Sequence, residues 1–381
     1  MKRRIPLIAL LSCVLGWLGL LVLSGPREPV YRGHTLTYWL EHYYILPPNI
    51  PRSGGILRPD PQAVEAIRHI GTNAIPALLR QTRAHDSPLK LKLLALAQKQ
   101  NLIGIRSTSG FFPGSAVPLA KRQHLIDIRF TPASQRNLQA SLGFCELGSA
   151  ASNAAPALIE IYNANISPSS QDAAIVALGS IGPAAKPALP SLLRTLADTN
   201  NYTRLACVRA LASIHAEPQS VVPALIKSLS DPHFGVRMLA AEALGQFGAD
   251  AKPAVPALVE IYDRNTADSL QAATTLGLIG PAAKLAVPSL LRGLTNANPE
   301  LRRLSILSIG RIRAEPQLVV PALIKSLSDT DVNIQFFSIM ALGQYGPDAK
   351  SALPSLTNLL QDPNVRLEVT NALKLIDGRT R

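Results

Sequence analysis

A proline recurs through the last two thirds of the chain with a nearly constant period. It stands in an apolar-Pro-[Ala/Ser]-Leu motif, and successive copies are 34, 33, 33, 32, 33 and 33 residues apart. The seven repeat prolines are Pro156, Pro190, Pro223, Pro256, Pro288, Pro321 and Pro354. A period of roughly 20 to 50 residues is typical of repeat architectures, in which each unit buries its apolar face against the next. The chain is therefore predicted to be a stack of similar units.

Each unit reads as two helices joined by a short linker. Eight residues before the repeat proline stands a glycine in five of the seven units (Gly148, Gly182, Gly248, Gly280, Gly346), and His215 or Arg313 in the other two. Glycine commonly ends a helix, and proline fits the first turn of one. The pattern predicts a first helix, a stop, and a second helix that has the repeat proline in its first turn, as at Pro223. The leucines two residues after this proline, such as Leu225 and Leu323, are predicted to be buried.

Two further signals complete this picture of the repeats. Asp231-Pro232 and Asp362-Pro363 are predicted to supply an N-cap and the first residue of the next first helix. A longer period is also present, because residues 216–229 recur as 314–327 and residues 180–196 recur as 278–294, both at an offset of 98. Three consecutive units were therefore copied together.

These residues resemble HEAT-like repeats of the short bacterial kind. Ala-Leu-Gly at 177–179, 243–245 and 341–343 closes the first helix, and Val-Pro-Ala-Leu opens the second. The resemblance covers about residues 134–381, with a weaker copy at 62–100. It implies an all-α fold, an α-solenoid (superhelix) of paired antiparallel helices with repeats of about 33 residues. A content of only 5% aromatic residues agrees with thin layers filled by Leu and Ala.

The N-terminus carries a predicted export signal. Lys2, Arg3 and Arg4 precede an uncharged run of 19 residues, from Ile5 to Leu23, which is long enough to span a bilayer. Residues 1–25 are thus either a signal peptide or a transmembrane anchor, and the flanking positive charges predict that the rest of the chain lies outside the cytoplasm. A poor lipobox-like sequence leaves lipidation of Cys13 as a third alternative.

The remaining boundaries follow from composition. Residues 26–61 are predicted to be a juxtamembrane segment and linker, 62–133 a divergent N-terminal repeat with an irregular insertion, and 134–381 the regular array. Residues 31–40 (YRGHTLTYWL) resemble an element that precedes HEAT arrays in some bacterial envelope proteins. The resemblance as a whole is to exported or membrane-anchored bacterial HEAT-repeat proteins.

The positive charge of the chain is unevenly distributed. Residues 1–133 hold 17 Lys/Arg against 6 Asp/Glu, whereas residues 134–381 hold 21 against 19. One alternative function is therefore binding of an anionic polymer or lipid through the basic N-terminal third. A nearly neutral, exported array is not expected to bind nucleic acid.

The residues give no sign of catalytic chemistry. Cys13, Cys145 and Cys207 have neither disulfide nor metal spacing, so the latter two are predicted to be free thiols in the core. The seven histidines are scattered, and motifs for nucleotide, metal or nucleophile sites are missing from the sequence. We therefore expect a non-enzymatic protein with no cofactor and no metal. The alternative, a HEAT-like enzyme of the bilin lyase type, is similar only through the repeat itself.

The resemblance implies that second helices line the concave face of the array. The fourth residue after each repeat proline would then form a ladder there: Glu160, Arg194, Lys227, Glu260, Arg292, Lys325 and Asn358. Tyr162 and Tyr262 lie two residues beyond the acidic rungs and serve either a partner or packing. This ladder is the predicted binding surface for a protein or peptide partner, and the alternative is an ordinary solvated helix position. Arg204 and Arg237, on first helices, are predicted to face outward elsewhere.

Overall fold

The computed structural model describes residues 28–45, 58–99, 103–107 and 126–378. The predicted signal peptide or anchor, Cys13 and most of the Pro/Gly-rich linker lie outside these described residues. The chain divides into two compact units, Met1–Ala151 and Ser152–Arg381.

The described part of the first unit begins with a small hairpin and a helix that pack into its core. Its first elements are β1 (Val30–Tyr31), β2 (His34–Thr35), α1 (Leu36–Glu41) and β3 (Tyr44–Ile45). Arg32 and Gly33 both have positive φ, 47° and 79°, as a two-residue hairpin turn between β1 and β2 requires. Leu36 and Trp39 are buried. Residues 28–45 therefore contribute to the core of the first unit.

The rest of the first unit is one repeat with an insertion. The elements are β4 (Arg58–Pro59), α2 (Pro61–Ile70), α3 (Ile75–Thr82), α4 (Pro88–Lys99), β5 (Ile103–Ser107), β6 (Ile126–Phe130) and α5 (Ala133–Leu147). Helix α3 packs against α5, and the Asn137 amide donates to the carbonyls of Gln81, Thr82 and Ala84. The insertion therefore lies between two packed helices. Its parallel strands β5 and β6 were not predicted.

The second unit alternates second and first helices. They are α6 (Ala155–Asn163), α7 (Pro168–Ile181), α8 (Leu189–Thr195), α9 (Asn201–Ile214), α10 (Pro218–Ser228), α11 (Phe234–Gln246), α12 (Val255–Asp263), α13 (Asp268–Ile279), α14 (Val287–Gly293), α15 (Pro299–Ile312), α16 (Pro316–Ser326), α17 (Val332–Tyr345), α18 (Leu353–Asn358) and α19 (Arg366–Asp377). Odd numbers are first helices and even numbers are second helices.

The packing confirms the predicted α-solenoid and its register. From α7 to α19 each first helix packs against the next first helix, and each second helix packs against the first helix that follows it. The leucine two residues after every repeat proline is fully buried: Leu158, Leu192, Leu225, Leu258, Leu290, Leu323 and Leu356. Each layer thus contributes one such leucine to a continuous core.

The predicted helix stops are confirmed at all seven positions. The five glycines have φ between 52° and 74°, and His215 and Arg313 adopt left-handed φ of 48° and 49°. A residue with a Cβ carries a strain there that glycine avoids. The linkers after the glycines are 3-10 turns, whereas Glu217 and Glu315 add a second left-handed residue in the other two units.

The choice of stop residue changes where the second helix begins. After a glycine stop, the second helix has its repeat proline at the second position, as predicted. In α10 and α16 the helix begins at Pro218 and Pro316, so Pro223 and Pro321 lie inside it. The prediction for these two prolines is wrong because the left-handed Glu217 and Glu315 let the helix begin five residues before the repeat proline.

The Asp-Pro pairs are not helix starts, so that prediction is also wrong. Helix α11 begins at Phe234 and α19 at Arg366. The Asp231 carboxylate accepts the His233 N–H at 2.8 Å, and the Asp362 carboxylate accepts the Asn364 N–H at 2.9 Å. Both aspartates therefore hold turns that precede the helix.

Arginines on first helices join neighbouring layers rather than facing outward. Arg204 reaches Asp231 at 2.7 Å, Arg237 reaches Asp268 at 2.8 Å, and Arg302 reaches Asp329 at 3.2 Å. Arg204 is buried, and Arg237 and Arg302 are half-buried. The predicted outward orientation of Arg204 and Arg237 is wrong because each guanidinium pairs with an aspartate beyond the following second helix.

The glycines of the Ala-Leu-Gly motifs lie inside the first helices rather than at their ends. Helix α7 continues two residues past Gly179, to Ile181. A Cβ at Gly179 would lie 2.9 Å from the Ala210 Cα, and one at Gly343 would lie 3.2 Å from the Ala372 Cα. These glycines therefore permit close approach of adjacent first helices.

One cysteine differs from its prediction. Neither Cys145 nor Cys207 is disulfide-bonded, as predicted, but only Cys207 is buried, and Cys145 is exposed. Asp268–Gly293 is, by length and composition, one stretch among the described residues that could cross a bilayer. It consists of α13, a 3-10 linker and α14, is interrupted at Gly280 with φ 70°, and is more than half buried. We interpret it as core.

Candidate interaction surface

The second helices of the second unit present one outward face. Because a helix turns roughly 100° per residue, the repeat proline and the residue four after it lie roughly 160° to 200° from the buried leucine. The residue three before the proline lies in the 3-10 linker of the five glycine-stop units and inside the second helix of the other two. All three positions are exposed in all seven repeats. We call this set the second-helix face. The ladder residues Glu160, Arg194, Lys227, Glu260, Arg292, Lys325 and Asn358 are its last row, and the structure places every one of them in solvent.

Two arginines of the ladder differ in their partners. Arg292 donates to both Asp263 oxygens, at 2.9 and 3.0 Å, and so joins α14 to the end of α12. Its counterpart Arg194 donates to the Ser191 hydroxyl at 3.1 Å. Asn163 stands where Asp263 does in the later unit, so Arg194 has no carboxylate there. The same position is neutralised in one copy and cationic in the other.

The lysines of the ladder are available to a ligand. Within the described ranges, Lys227 and Lys325 form no ion pair. Glu260 is paired with Arg264, 2.7 Å away at the end of its own helix. Exposed pairs of this kind contribute little to stability, about 0 to 1 kcal/mol. The ladder charges are therefore not required by the fold.

The two tyrosines near the acidic rungs have different environments. Tyr262 is buried, its hydroxyl lies 2.6 Å from the Ser305 hydroxyl, and burial raises its pKa. The half-buried Tyr162 hydrogen-bonds to Thr195 instead. The difference arises at Gly293, the counterpart of Thr195, where a Cβ would overlap the Tyr262 hydroxyl at 1.6 Å. Tyr262 is a core residue, so its prediction as a partner contact is corrected, whereas Tyr162 remains at the margin of the face.

One row of this face was not predicted. Three residues before the repeat proline, Leu285 and Leu318 are 67% and 56% exposed in adjacent repeats. Their counterparts in the earlier copy are Pro187 and Ser220. A position-by-position comparison of the two copied blocks would have found this difference.

Among the described residues, no group of three or more His, Cys, Asp and Glu side chains could hold a metal ion.

Comparison with known proteins now identifies the repeats. A family model described as HEAT repeats matches residues 189–279 and 286–377. The chain contains HEAT repeats. The matched ranges run from α8 into α13 and from the linker before α14 into α19, so they cover most of the second-helix face. No curated protein sequence matches the chain.

Several solved structures are similar to the chain at low identity. An archaeal HEAT-like repeats protein from Thermococcus onnurineus NA1 is 16% identical, with a TM-score of 0.42, over 59% of this chain and 97% of that one. Kap121p is 15% identical, with a TM-score of 0.46, over 64% and 31%. A structure of Kap95p with RanGDP is 12% identical, with a TM-score of 0.38, over 81% of this chain. The chain spans about half of that Kap95p chain, 49%.

Proposed function

We propose that this chain is a non-enzymatic scaffold of a bacterial cell envelope that binds a protein partner on the second-helix face of its HEAT repeats. The predicted N-terminal signal peptide or anchor would place the array outside the cytoplasm. Stacked repeats offer an extended surface that suits this role.

The observation that carries the proposal is the separation of structural and free charges. The basic residues on first helices that reach aspartates, such as Arg204, join layers, whereas Arg194, Lys227 and Lys325 on second helices project into solvent. Exposed charges without a charged partner on the protein direct encounter and specificity at interfaces while contributing little to folding. A recognition role accounts for the placement of these three cations on the same exposed row of the second helices.

Site-specific crosslinking tests the proposal. A photoreactive amino acid at position 227 or 325 should crosslink a defined protein in the native envelope. The same group at Arg209 or Arg311, which are exposed on first helices, should not. Equal crosslinking from both helix sets would contradict a dedicated second-helix face.

Charge reversal gives a matched test of the same surface. The triple variant R194E/K227E/K325E should lose the crosslinked partner while keeping wild-type helicity and Tm. The control R209E/R311E/K374E reverses three exposed charges on first helices and should retain the partner. Loss in both variants would indicate a nonspecific need for positive charge.

Topology is testable on its own. A reporter enzyme that is active only outside the cytoplasm should be active when fused after Arg381, because three positive charges directly precede the apolar run and only Arg27 closely follows it. Activity from a cytoplasmic reporter alone would refute the proposed location.

A second candidate function, binding of anionic lipid through the N-terminal third, is favoured by helix α4. This helix exposes Leu89, Leu91 and Leu96, and Lys92 lies among them. Leu89 and Leu96 are seven residues apart and so share one side of the helix, and exposed leucines near lysine favour an anionic membrane surface. Cosedimentation with vesicles containing phosphatidylserine should then fall steeply with added salt and with L89S/L91S/L96S. Unchanged binding by that variant would refute this candidate.

A further inference from the structure

The two copied blocks form a natural comparison of surfaces on one backbone. The linker and second-helix segments at 180–196 and 278–294 are nearly identical, and so are those at 216–229 and 314–327. Residues 216–229 and 314–327 differ at a single position, where Ser220 corresponds to Leu318. In the preceding unit, the same position three residues before the repeat proline changes from Pro187 to Leu285. Both changes put leucine on the second-helix face.

The two leucines extend an exposed apolar surface across two layers. Leu318 lies in α16 with the exposed repeat proline Pro321, whereas Leu285 lies in the 3-10 linker just before α14, the helix that carries the exposed repeat proline Pro288. Buried residues surround these positions in both layers: Ala286 and Val287 in one, Val319 and Val320 in the other. We call Leu285, Pro288, Leu318 and Pro321 the leucine strip. Because adjacent helix layers pack roughly 10 Å apart, its two leucines are expected at about that separation.

Cations flank the leucine strip. Lys284 precedes Leu285, and Lys325 follows Pro321 by four residues. Arg292, four residues after Pro288, is already paired with Asp263. In the earlier copy, Lys186 pairs with Glu217 at 3.2 Å. In the described part of the chain, the corresponding Lys284 forms no ion pair. Glu315, the residue before α16, adds one exposed carboxylate near the strip. The two lysines, Lys284 and Lys325, outnumber this carboxylate.

We propose that the leucine strip binds an acidic peptide segment of a partner protein through two apolar side chains of that segment. This proposal rests on the proposed function and specifies the partner's chemistry. Apolar side chains of the segment would cover Leu285 and Leu318, and its carboxylates would meet Lys284 and Lys325. A separation of roughly 10 Å matches apolar residues three apart in an extended peptide or seven apart in a helix. Charge complementarity then excludes basic segments.

The copied blocks supply variants that preserve the fold. In L285P/L318S, each new residue is the one that the earlier copy holds at the same place, and P187L/S220L makes the reciprocal change. The probes are fluorescein-labelled synthetic peptides with two leucines spaced by three or seven residues among glutamates. Matched peptides carry lysine for glutamate, or serine for leucine. Binding is measured by fluorescence anisotropy at low and high salt.

The expected result has three parts. At least one acidic leucine peptide binds the wild-type chain about tenfold more tightly than its serine and lysine counterparts. L285P/L318S lowers this affinity by about tenfold, whereas the control L367S, which removes a leucine that is 68% exposed on α19, leaves it unchanged. P187L/S220L raises the stoichiometry toward two peptides per chain.

Other results would overturn the proposal. These are equal affinity of L285P/L318S and wild type, preference for the basic peptide, or no binding of any peptide. Self-association in analytical ultracentrifugation that L285P/L318S abolishes would assign the strip to a second copy, and leucine-dependent binding to anionic vesicles would assign it to lipid. A partner that still crosslinks at position 227 or 325 in L285P/L318S would leave the proposed function standing while this inference fails.

Discussion

Removing the Arg204 side chain should destabilise the chain far more than removing that of Arg292, although each arginine donates to both carboxylate oxygens of an aspartate. Arg204 donates to both Asp231 oxygens at 2.7 and 2.8 Å, and to the carbonyls of Asp198 and Thr199 at 2.8 and 3.1 Å. The Arg204 and Asp231 side chains are only 10% and 9% exposed, whereas those of Arg292 and Asp263 are 65% and 39% exposed.

These exposures set the magnitudes. Breaking a buried pair by removing one partner costs about 3 to 5 kcal/mol, and an exposed pair contributes about 0 to 1 kcal/mol. Because the Arg204 pair is nearly but not completely buried, we expect R204A to lower the free energy of unfolding by about 2 to 4 kcal/mol. We expect R292A to lower it by less than about 1 kcal/mol. Urea unfolding followed by circular dichroism would measure both, with hydrogen exchange to locate partial unfolding around α9 and α11.

The same pair predicts a pH dependence. The Arg204 guanidinium holds the pKa of Asp231 below its usual range. An unfolded aspartate has a pKa of about 3.9, so the ionised pair stabilises the fold above about pH 4, and this contribution is lost as pH falls through the lower folded pKa. The stability difference between wild type and R204A should therefore shrink below pH 4. Equal destabilisation by R204A and R292A, or a difference independent of pH, would refute this reasoning.

Three further changes test the packing. G293A should destabilise by about 1 to 3 kcal/mol in urea unfolding, because the new methyl overlaps the Tyr262 hydroxyl; combining it with Y262F should recover part of the loss. L225A should cost about 2 to 5 kcal/mol, since Leu225 is fully buried between layers, and a change below about 0.5 kcal/mol would contradict the repeat register. G179A should lower Tm despite the better helix propensity of alanine, because its Cβ meets the Ala210 backbone at 2.9 Å; an increase in Tm would contradict the close approach.

The sequence was sufficient for the register because the register depends on local spacing. A proline and a leucine two residues apart fix which side of a second helix is buried, and the seven leucines obey this rule. A glycine stop is equally local, since it needs only a residue that tolerates positive φ. The exposed ladder follows from the same rotation of the helix.

The errors arose where the outcome depends on residues in another layer. The pattern of its own helix predicts that Arg204 faces solvent. Asp231, 27 residues later, instead pairs with Arg204 in a nearly buried ion pair. Tyr162 and Tyr262 share an identical Glu-Ile-Tyr context, and their different burial is decided by Thr195 and Gly293 in the next layer. Local periodicity carries no information about such partners.

The copied blocks show how an array of this kind separates folding from recognition. Neighbouring layers constrain the buried positions, so the two blocks keep the same residues there. Leu225 corresponds to Leu323, and the ion pair Arg204–Asp231 corresponds to Arg302–Asp329. The position three residues before the repeat proline is exposed in every repeat, and it holds Asn, Pro, Ser or Leu without a change in the burial of its neighbours. The fold is therefore indifferent to that side chain. Exposed leucines in adjacent layers add apolar surface that stability does not require, and contiguous apolar surface is typical of binding sites. Because the fold does not constrain this position, the change to leucine between the two blocks is more informative about function than any residue that the blocks share.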